Sequence, residues 1–323
     1  MQKDISQLKI AVLAGGIGSE REISQQSGQT IYDALLEDGA VVVLSDITPD
    51  DMEILDDPSI DVFFLALHGE FGEDGELQAI LEERKLCFTG TGSEASRTAF
   101  DKLLSKQAFF HTHLPIAKHL IVQADDTQSD LANHLKKLAS KFVVKPLKQG
   151  SSVGIEIADD TEAAAAKAIE CFRTYGDCMV EEFVDGREVT VGIVNGKALP
   201  IIEIRSQTGF YDYEAKYADK AATEYLFDTI KDPVLAATIQ TMALTCFHDL
   251  GCRHLGRVDF ILTKDQTPYI LEINTLPGFT SHSLLPMAAA KAGVPTPALC
   301  RQIAETAWKD YQSEISNFNS EIP

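Results

Sequence analysis

Two short segments of the chain, residues 257–260 and 271–274, alternate strictly between polar and apolar side chains. Side chains two apart along a β-strand point to the same face, so each segment predicts a strand with one apolar and one polar face. The polar faces would carry one arginine and three side chains with oxygen donors: Arg257, Asp259, Glu272 and Asn274. A solvated strand surface is the alternative, but three oxygen donors beside an arginine favour a site for a hard cation such as Mg²⁺. Because the arginine can hold a phosphate or a developing oxyanion, the two strands indicate phosphoryl chemistry.

The first 70 residues alternate between apolar segments of strand length and an amphipathic helix. Segments 8–14, 41–44 and 62–67 predict strands, and the order strand, helix, strand indicates a parallel α/β sheet. Sheets of this kind bind ligands beyond the carboxyl ends of their strands. Glu20 and His68 both fall at such ends, so we expect them near a ligand.

The turn after the first predicted strand is rich in glycine, with the sequence GGIGS at residues 15–19. A dinucleotide-binding turn has a similar sequence, but Arg21 stands where that turn needs a small residue for helix packing, and we reject that interpretation. Ser19 and Glu22 have the spacing of a capping box. We therefore predict that these two side chains cap the first helix.

The net charge of −21 and the six cysteines restrict the function and the location of the chain. A surplus of negative charge argues against a protein that binds nucleic acid or a membrane surface, so an anionic ligand must be held by locally placed Lys and Arg. The apolar runs have strand length, far short of a membrane span, and the N-terminus has no signal-peptide core. The cysteines form no CxxC pair, which predicts buried free thiols in a reducing cytoplasm.

Three further segments each have a functional and a structural interpretation. Lys145 ends a predicted strand and precedes a Gly- and Ser-rich loop at 148–154, which is either a phosphate-binding loop or a flexible linker; it is not a P-loop, because no GK[ST] follows. Segment 207–217, dense in aromatic and charged residues, is a functional lid or a disordered insert. Segment 281–287 opens a helix, and its start is either only an N-cap, at Ser281 or Ser283, or a carboxylate site.

Five separated motifs resemble those of the ATP-grasp ligases, and within them the D-alanine–D-alanine ligases, over nearly the whole chain to about residue 310. The motifs are GSEREIS (18–24), ALHG (66–69), GSSVG (150–154), YDYEAKY (211–217) and EINTLPGFTSHSL (272–284). The resemblance implies an α/β fold of three-domain ATP-grasp architecture with a Rossmann-like parallel sheet in its N-terminal domain. We expect domains at 1–95, 96–183 and 184–323, a lid loop at about 205–222, and a helix over 96–111.

The resemblance also implies an ATP site between the central and C-terminal domains, with two Mg²⁺ ions for which Mn²⁺ can substitute. Asp259, Glu272 and Asn274 would hold the metal ions. Lys102 and Lys145 would contact the phosphates, and Lys216 would bring the lid to them. The complete set of residues implied to bind ATP is Lys102, Lys145, Ser151, Ser152, Glu181, Glu182, Phe183, Val184, Glu188 and Lys216. Glu188 would take the ribose, and residues 181–184 the adenine edge, where many relatives carry Trp instead of Phe183.

For the amino-acid substrates, the resemblance implies one pocket for each D-alanine. Glu20 would pair with the first ammonium group, with His68 near the first carboxylate and Ser151 and Tyr217 closing that pocket. The oxyanion hole would consist of Arg257 and the Gly278 N–H, and the second carboxylate would be held by Ser283 and the Leu284 N–H. The implied catalytic residues are Glu20, Ser151, Arg257, Lys216 and Tyr217.

The activity implied by this resemblance is the ATP-dependent joining of two D-alanine molecules through an acyl phosphate, for peptidoglycan precursor synthesis in the cytoplasm, by a homodimer. The alternatives are an ATP-grasp ligase of other amino or hydroxy acids and a non-catalytic nucleotide-sensing module. Loss of a metal ligand or a phosphate lysine would favour the sensor, and none is missing. Tyr217 favours an amine over D-lactate as the second substrate, because a neutral phenol adds no positive charge to attract an anion.

Overall fold

A computed structural model describes residues 7–206 and 223–320 of the chain. It confirms the predicted fold class, because a parallel sheet at the N-terminus is followed by antiparallel sheets flanked by helices. The strands described are Lys9–Gly15 (β1), Val41–Ile47 (β2), Val62–Leu65 (β3), His119–Ile121 (β4), Phe142–Pro146 (β5), Glu156–Ala158 (β6), Cys178–Glu182 (β7), Gly186–Val194 (β8), Lys197–Ala198 (β9), Ile202–Ser206 (β10), Thr223–Phe227 (β11), Leu255–Thr263 (β12) and Pro268–Asn274 (β13).

Helices cover the sheets and connect their strands. The α-helices described are Arg21–Glu37 (α1), Glu76–Glu83 (α2), Ser93–Phe100 (α3), Lys102–His111 (α4), Gln128–Leu135 (α5), Thr161–Tyr175 (α6), Pro233–Asp249 (α7), Leu284–Lys291 (α8) and Thr296–Ser320 (α9), and a 3₁₀ turn lies at Glu53–Asp56. In the described part of the chain, none of them has both the length and the apolar character needed to cross a membrane. All six cysteines are buried and free, as predicted.

The N-terminal sheet has the strand order β2-β1-β3, and all its pairs are parallel. Helix α1 connects β1 to β2 and packs closely on β1, where a Cβ added to Gly28 would lie 2.4 Å from the Cβ of Ala14. The strands are apolar because both faces are covered, with α1 and α9 against one face and α2 against the other. The carboxyl ends of β1 and β3 lead directly to Glu20 and His68.

The capping box predicted at Ser19 and Glu22 is wrong. Helix α1 begins at Arg21, the N-cap position belongs to Glu20, and no side chain caps the helix. The Glu20 carboxylate accepts a hydrogen bond from Ser151 instead. Ser19 therefore lies one residue before the N-cap position of α1. The side chain at that position, Glu20, contacts the central part of the chain instead of capping the helix.

The helix predicted over 96–111 consists of two helices, α3 and α4, separated at Asp101. Asp101 has extended backbone angles, and its carboxylate accepts hydrogen bonds from the N–H groups of Leu103 and Leu104 at 2.9 and 3.1 Å. Aspartate favours this N-cap arrangement over a position inside a helix. The break turns α4 so that Lys102 and Lys106, four residues apart and therefore on one face, are both buried.

The central sheet has the order β4-β7-β5-β6 and is antiparallel. Helices α5 and α6 cover one face with apolar residues such as Leu131 and Ala165. In its register, Val143 on β5 lies opposite Glu181 on β7, so the next residue on the same face of β5, Lys145, reaches Glu181 diagonally. The sheet therefore presents a lysine and a glutamate together.

The C-terminal sheet has the order β11-β10-β8-β12-β13, with β9 paired to β8. The two predicted polar strands are adjacent and antiparallel, with Asp259 opposite Glu272 and Arg257 opposite Asn274. The register shifts between Asp259 and Phe260, which pairs with Ile270. Leu271 is thus an extra, bulged residue, and it lines the same cavity as Glu272. The prediction that Leu271 packs on the apolar face is wrong, because a β-bulge redirects a side chain.

The close contact of α1 with β1 predicts that a methyl group added at Gly28 changes the stability of the protein. We expect Gly28→Ala to lower the free energy of unfolding by about 1–2 kcal/mol, because overpacking costs roughly 1–3 kcal/mol and the better helix propensity of Ala returns at most about 1 kcal/mol. Urea unfolding measures the change. Gln26→Ala, on the exposed side of the same helix, is the control, and a Gly28→Ala protein as stable as the control would contradict this packing.

Candidate active site

Two cavities meet between the three sheets and share Lys102 and Glu272 in their walls. We call them the polar cavity and the inter-sheet cavity. Most of the predicted substrate residues line the polar cavity: Glu20, His68, Ser151, Arg257, Gly278, Ser283 and Leu284. Most of the predicted nucleotide residues line the inter-sheet cavity: Lys102, Lys145, Ser152, Glu181, Glu182, Phe183, Val184 and Glu188. Lys216 and Tyr217 lie outside the described residues.

The polar face of β12 and β13 lies where the two cavities meet. Arg257 binds Asp259 in a bidentate pair, with Nε to Oδ1 at 2.9 Å and Nη2 to Oδ2 at 2.8 Å, and Thr190 also donates to Asp259. The Oδ1 atom of Asn274 is buried and has no hydrogen-bond partner. An orphaned buried acceptor beside two carboxylates is suited to a cation.

The donors on this face fit Mg²⁺ better than a softer metal. Asp259 and Glu272 lie opposite each other, and with Asn274 they supply oxygen atoms, which Mg²⁺ prefers. Within residues 7–206 and 223–320, no cluster of three or more His, Cys, Asp or Glu side chains is placed to hold a metal. The candidate metal ligands on this face are therefore two carboxylates and one amide. Oxygen atoms of the bound substrates are needed to complete the coordination of the metal.

The Glu20 carboxylate is enclosed by glycines and one serine. Ser151 donates to Glu20 Oε1, and a Cβ added to Gly69 or Gly150 would lie 2.6 or 2.7 Å from Glu20 Oε2. Gly69 also has a φ of +67°, which favours glycine. The motifs at 18–24, 66–69 and 150–154 therefore meet around one carboxylate, although they are far apart in the chain.

The loop at 148–154 is ordered around two serines in the left-handed region, Ser151 with φ +48° and Ser152 with φ +61°. Non-glycine residues avoid this region unless other contacts hold them there. The contact of Ser151 with Glu20 and the hydrogen bond from Lys102 Nζ to the Gln149 carbonyl, at 2.6 Å, are such contacts. The phosphate-loop interpretation gains support over a free linker, because the loop lies along both cavities.

His68 is buried and neutral. Its Nε2 atom lies 3.1 Å from the Ser27 hydroxyl, which accepts the Phe279 N–H at 3.1 Å. Burial, with a smaller contribution from the positive charge of Arg257, lowers the pKa of His68 to about 4, although a hydrogen bond with the backbone of Leu276 acts in the opposite direction. This ring therefore offers hydrogen bonds without a positive charge at neutral pH.

Glu73 is a residue of the polar cavity that the sequence analysis missed. Its Oε2 accepts the Gly69 N–H at 2.7 Å, and the side chain is buried. Burial, with repulsion from Glu20, raises the pKa of Glu73 to about 8. Glu73 belongs to the acidic run that follows His68, but the sequence does not show which glutamate of that run is buried.

Glu181 is a buried carboxylate in the wall of the inter-sheet cavity. Lys106 Nζ lies 2.7 Å from its Oε1, and Lys145 Nζ lies 2.7 Å from its Oε2. Burial acts to raise the pKa of Glu181, but the two lysines outweigh it and lower the pKa to about 2. Glu181 is therefore an ionised acceptor at neutral pH.

The inter-sheet cavity also has an apolar lining. Ile261 and Leu271 contribute to it from β12 and β13, and the Lys141 ammonium lies 4.6 Å from the centre of the Phe183 ring. Sequence analysis missed both aliphatic residues. The same period of two that places Arg257 and Asp259 on one strand face also places Ile261 there. Leu271 could not be found in this way, because the bulge breaks the alternation at that residue.

Ser283 is the N-cap residue of α8, as one interpretation predicted, but its side chain does not cap the helix. Its hydroxyl accepts the Thr280 N–H at 2.8 Å and so turns toward the preceding loop. The N-terminus of α8 lies in the wall of the polar cavity, where helix N–H groups favour an anion. His282 is exposed at this wall.

Comparison with known proteins identifies the family. A family model described as D-ala D-ala ligase C-terminus matches residues 109–305. D-alanine–D-alanine ligases of Citrifermentans bemidjiense and Magnetococcus marinus are each 40% identical to this chain, over 94% of it and 98% or 99% of their own lengths. This chain belongs to the D-alanine–D-alanine ligase family. The resemblance found in the five motifs is thereby confirmed.

Solved structures of the family have the same fold. The D-alanine–D-alanine ligase of Bacillus anthracis in complex with ATP has a TM-score of 0.80 at 30% identity, covering 95% of this chain and 99% of that one. The ligase of Coxiella burnetii has a TM-score of 0.82 at 26% identity, covering 97% and 98%. The ATP-grasp fold expected from the motifs is confirmed.

The pKa of His68 leads to a prediction for the dependence on pH. The folded pKa of about 4 lies below the ordinary value of 6.5, so the unfolded chain binds more protons between these values, and the stability contributed by neutral His68 falls as pH falls through that window. We expect the His68 ring resonance in NMR spectra, assigned by its loss in His68→Gln, to titrate near pH 4. Titration near 6.5 would contradict the buried, neutral ring.

Proposed function

We propose that this chain joins two D-alanine molecules into D-alanyl-D-alanine through an acyl phosphate, with conversion of ATP to ADP and phosphate. The observation that carries the proposal is the junction of the two cavities at Lys102 and Glu272. An amino-acid pocket and a nucleotide pocket that share a lysine and a candidate metal ligand suit the transfer of a phosphoryl group between their contents.

In this proposal, ATP lies in the inter-sheet cavity. Glu181, Glu182, Phe183 and Val184 form the adenine edge, since the ionised carboxylate and backbone groups can accept hydrogen bonds from an amino group. Ile261 and Leu271 enclose the base with apolar surface. Glu188 takes the ribose, while Lys102, Lys145 and Ser152 contact the phosphates.

We assign two Mg²⁺ ions to Asp259, Glu272 and Asn274, with Mn²⁺ able to replace them. Ions bound there would supply positive charge to the phosphate oxygens. The chain's own contribution is to fix three oxygen donors on two paired strands. Arg257 forms an ion pair with Asp259 and also lines the polar cavity. We therefore assign it to the acyl-transfer step.

The first D-alanine lies in the polar cavity, its ammonium group against Glu20 and its carboxylate near His68. That carboxylate must attack the γ-phosphate, and a neutral His68 can orient it without the strong charge pairing that would weaken it as a nucleophile. The acyl phosphate forms where the cavities join. Ser151 keeps Glu20 in position for the ammonium group.

The second D-alanine binds with its carboxylate at Ser283 and the Leu284 N–H, at the N-terminus of α8. Its amine attacks the acyl carbon, and the oxyanion that develops is stabilised by Arg257 and the Gly278 N–H. Phosphate then leaves. Lys216 and Tyr217 are assigned by resemblance to a lid over 205–222 that excludes water from the acyl phosphate.

The cellular role follows from the chemistry. D-alanyl-D-alanine is a peptidoglycan precursor, so we place the enzyme in cell-wall synthesis, in the cytoplasm, where ATP is available and buried free thiols stay reduced. We also propose a homodimer and domain limits at 1–95, 96–183 and 184–323. The nucleotide-sensor alternative receives no support from the described residues, which include the candidate metal ligands Asp259, Glu272 and Asn274 and the lysines Lys102 and Lys145. The hydroxy-acid alternative depends on Tyr217, which lies outside the described residues.

Phosphate release and product analysis test this function. We expect release to need ATP, Mg²⁺ and D-alanine together, with one dipeptide formed per phosphate and negligible D-alanyl-D-lactate when D-lactate is added near neutral pH. L-alanine and omission of Mg²⁺ are the controls. Equal turnover with L-alanine, or none with D-alanine, would contradict the assignment.

The role of Arg257 gives a second test. We expect Arg257→Ala to lower kcat by roughly a hundredfold or more, as is typical when an oxyanion donor is lost, while the Kd for ATP rises much less. Arg84→Ala, which removes an exposed arginine paired with Asp56, is the control and should retain normal turnover. A loss of ATP affinity as large as the loss of kcat would make Arg257 a phosphate anchor instead.

A further inference from the structure

Lys106 is a buried lysine outside both cavity walls. Its side chain is 1% exposed, and its Nζ lies 2.7 Å from Glu181 Oε1. It lies one turn after Lys102 on the buried face of α4. A lysine is rarely buried without a charge partner, because burial disfavours its charged form, and neither the motifs nor the mechanism above gives this one a role.

Glu181 lies between two lysines that differ in their access to ligand. Lys145, on its other oxygen, lines the inter-sheet cavity together with Glu181, whereas Lys106 approaches from behind the cavity wall. In their charged forms, the three groups carry two positive charges and one negative charge. One lysine is sufficient to neutralise Glu181, so the second is available to a ligand.

We propose that Lys106 is a positioning residue for the nucleotide: it holds Glu181 in place and neutralises it, so that Lys145 can turn from Glu181 to an ATP phosphate. The proposal rests on the proposed function, because it assumes that ATP occupies the inter-sheet cavity. A nucleotide with a negatively charged phosphate chain and an amino group on its base is the ligand that this arrangement fits.

The energetics of buried charge support this role. A buried carboxylate left without a partner is strongly destabilising, so without Lys106 the attraction of Glu181 would hold Lys145 and compete with the phosphate. Burial lowers the pKa of Lys106, and the charge of Glu181 opposes this shift. Each member of the pair therefore favours the charged form of the other, and we expect ATP binding to depend on the pair, whereas D-alanine binding in the polar cavity does not.

The test compares Lys106→Met with Lys136→Met in otherwise unmodified protein. Methionine keeps the length and apolar stem of the lysine but removes the charge, and Lys136 is a surface lysine whose side chain is 56% exposed. We expect Lys106→Met to raise the KM for ATP and the Kd for ADP with Mg²⁺ roughly tenfold or more. The KM for D-alanine should stay within about twofold and kcat within about threefold. Lys136→Met should change none of them.

A double variant separates positioning from a general structural role. In a Glu181→Gln background there is no carboxylate to neutralise, so adding Lys106→Met should change the KM for ATP by less than about threefold. The double variant should also unfold at a higher temperature than Glu181→Gln alone, since Lys106 then no longer lies buried without its counter-ion. If Lys106→Met alone does not fold, this second comparison decides the matter.

Three results would overturn the proposal. The first is an unchanged KM for ATP in Lys106→Met, and the second is a rise in KM shared equally by ATP and D-alanine. The third is a loss of ATP affinity on adding Lys106→Met that is as large in the Glu181→Gln background as in the otherwise unmodified protein. Failure of the proposed function would instead appear in the unmodified protein, as phosphate release that does not depend on D-alanine.

Discussion

The register between β12 and β13 is the constraint on which the candidate site depends. It places Asp259 opposite Glu272 and Arg257 opposite Asn274, so four polar side chains share a face over a well-packed apolar layer that includes Val258 and Phe260. A shift of one residue would turn these groups into that layer. The bulge at Leu271 lets the same strand supply an aliphatic wall to the inter-sheet cavity beside the charged residues.

The positions of individual lysines explain how a chain with a net charge of −21 can bind a triphosphate. The lysines of the site are fixed close to carboxylates: Lys102 lies 3.8 Å from Glu272, and Lys145 lies 2.7 Å from Glu181. Both cavities have more acidic than basic side chains in their walls, and Glu20 and Glu73 are buried in the polar cavity. In the proposed function, a buried carboxylate pairs with the ammonium group of D-alanine, and individual lysines together with the metal ions hold the phosphates.

Sequence reasoning succeeded where the information is local. The period of two predicted the polar faces of β12 and β13, the alternation of elements predicted the parallel N-terminal sheet, and the motifs identified the family. It failed where side chains depend on distant partners: Ser19 and Glu22 do not form the predicted capping box, and the N-cap residue Glu20 accepts a hydrogen bond from Ser151. Lys106 shares a helix face with Lys102, but its proposed role depends on its contact with Glu181. No sequence pattern near Lys106 predicts that contact.

The central claim is that the polar face of β12 and β13 holds the metal ions for a nucleotide in the inter-sheet cavity. A crystal structure with ADP and Mn²⁺, with anomalous scattering used to place the manganese, tests it most directly. We predict anomalous peaks within coordination distance of Asp259, Glu272 and Asn274, with ADP bound between the central and C-terminal sheets. Manganese bound elsewhere, with the Asn274 side chain still lacking a ligand, would contradict it.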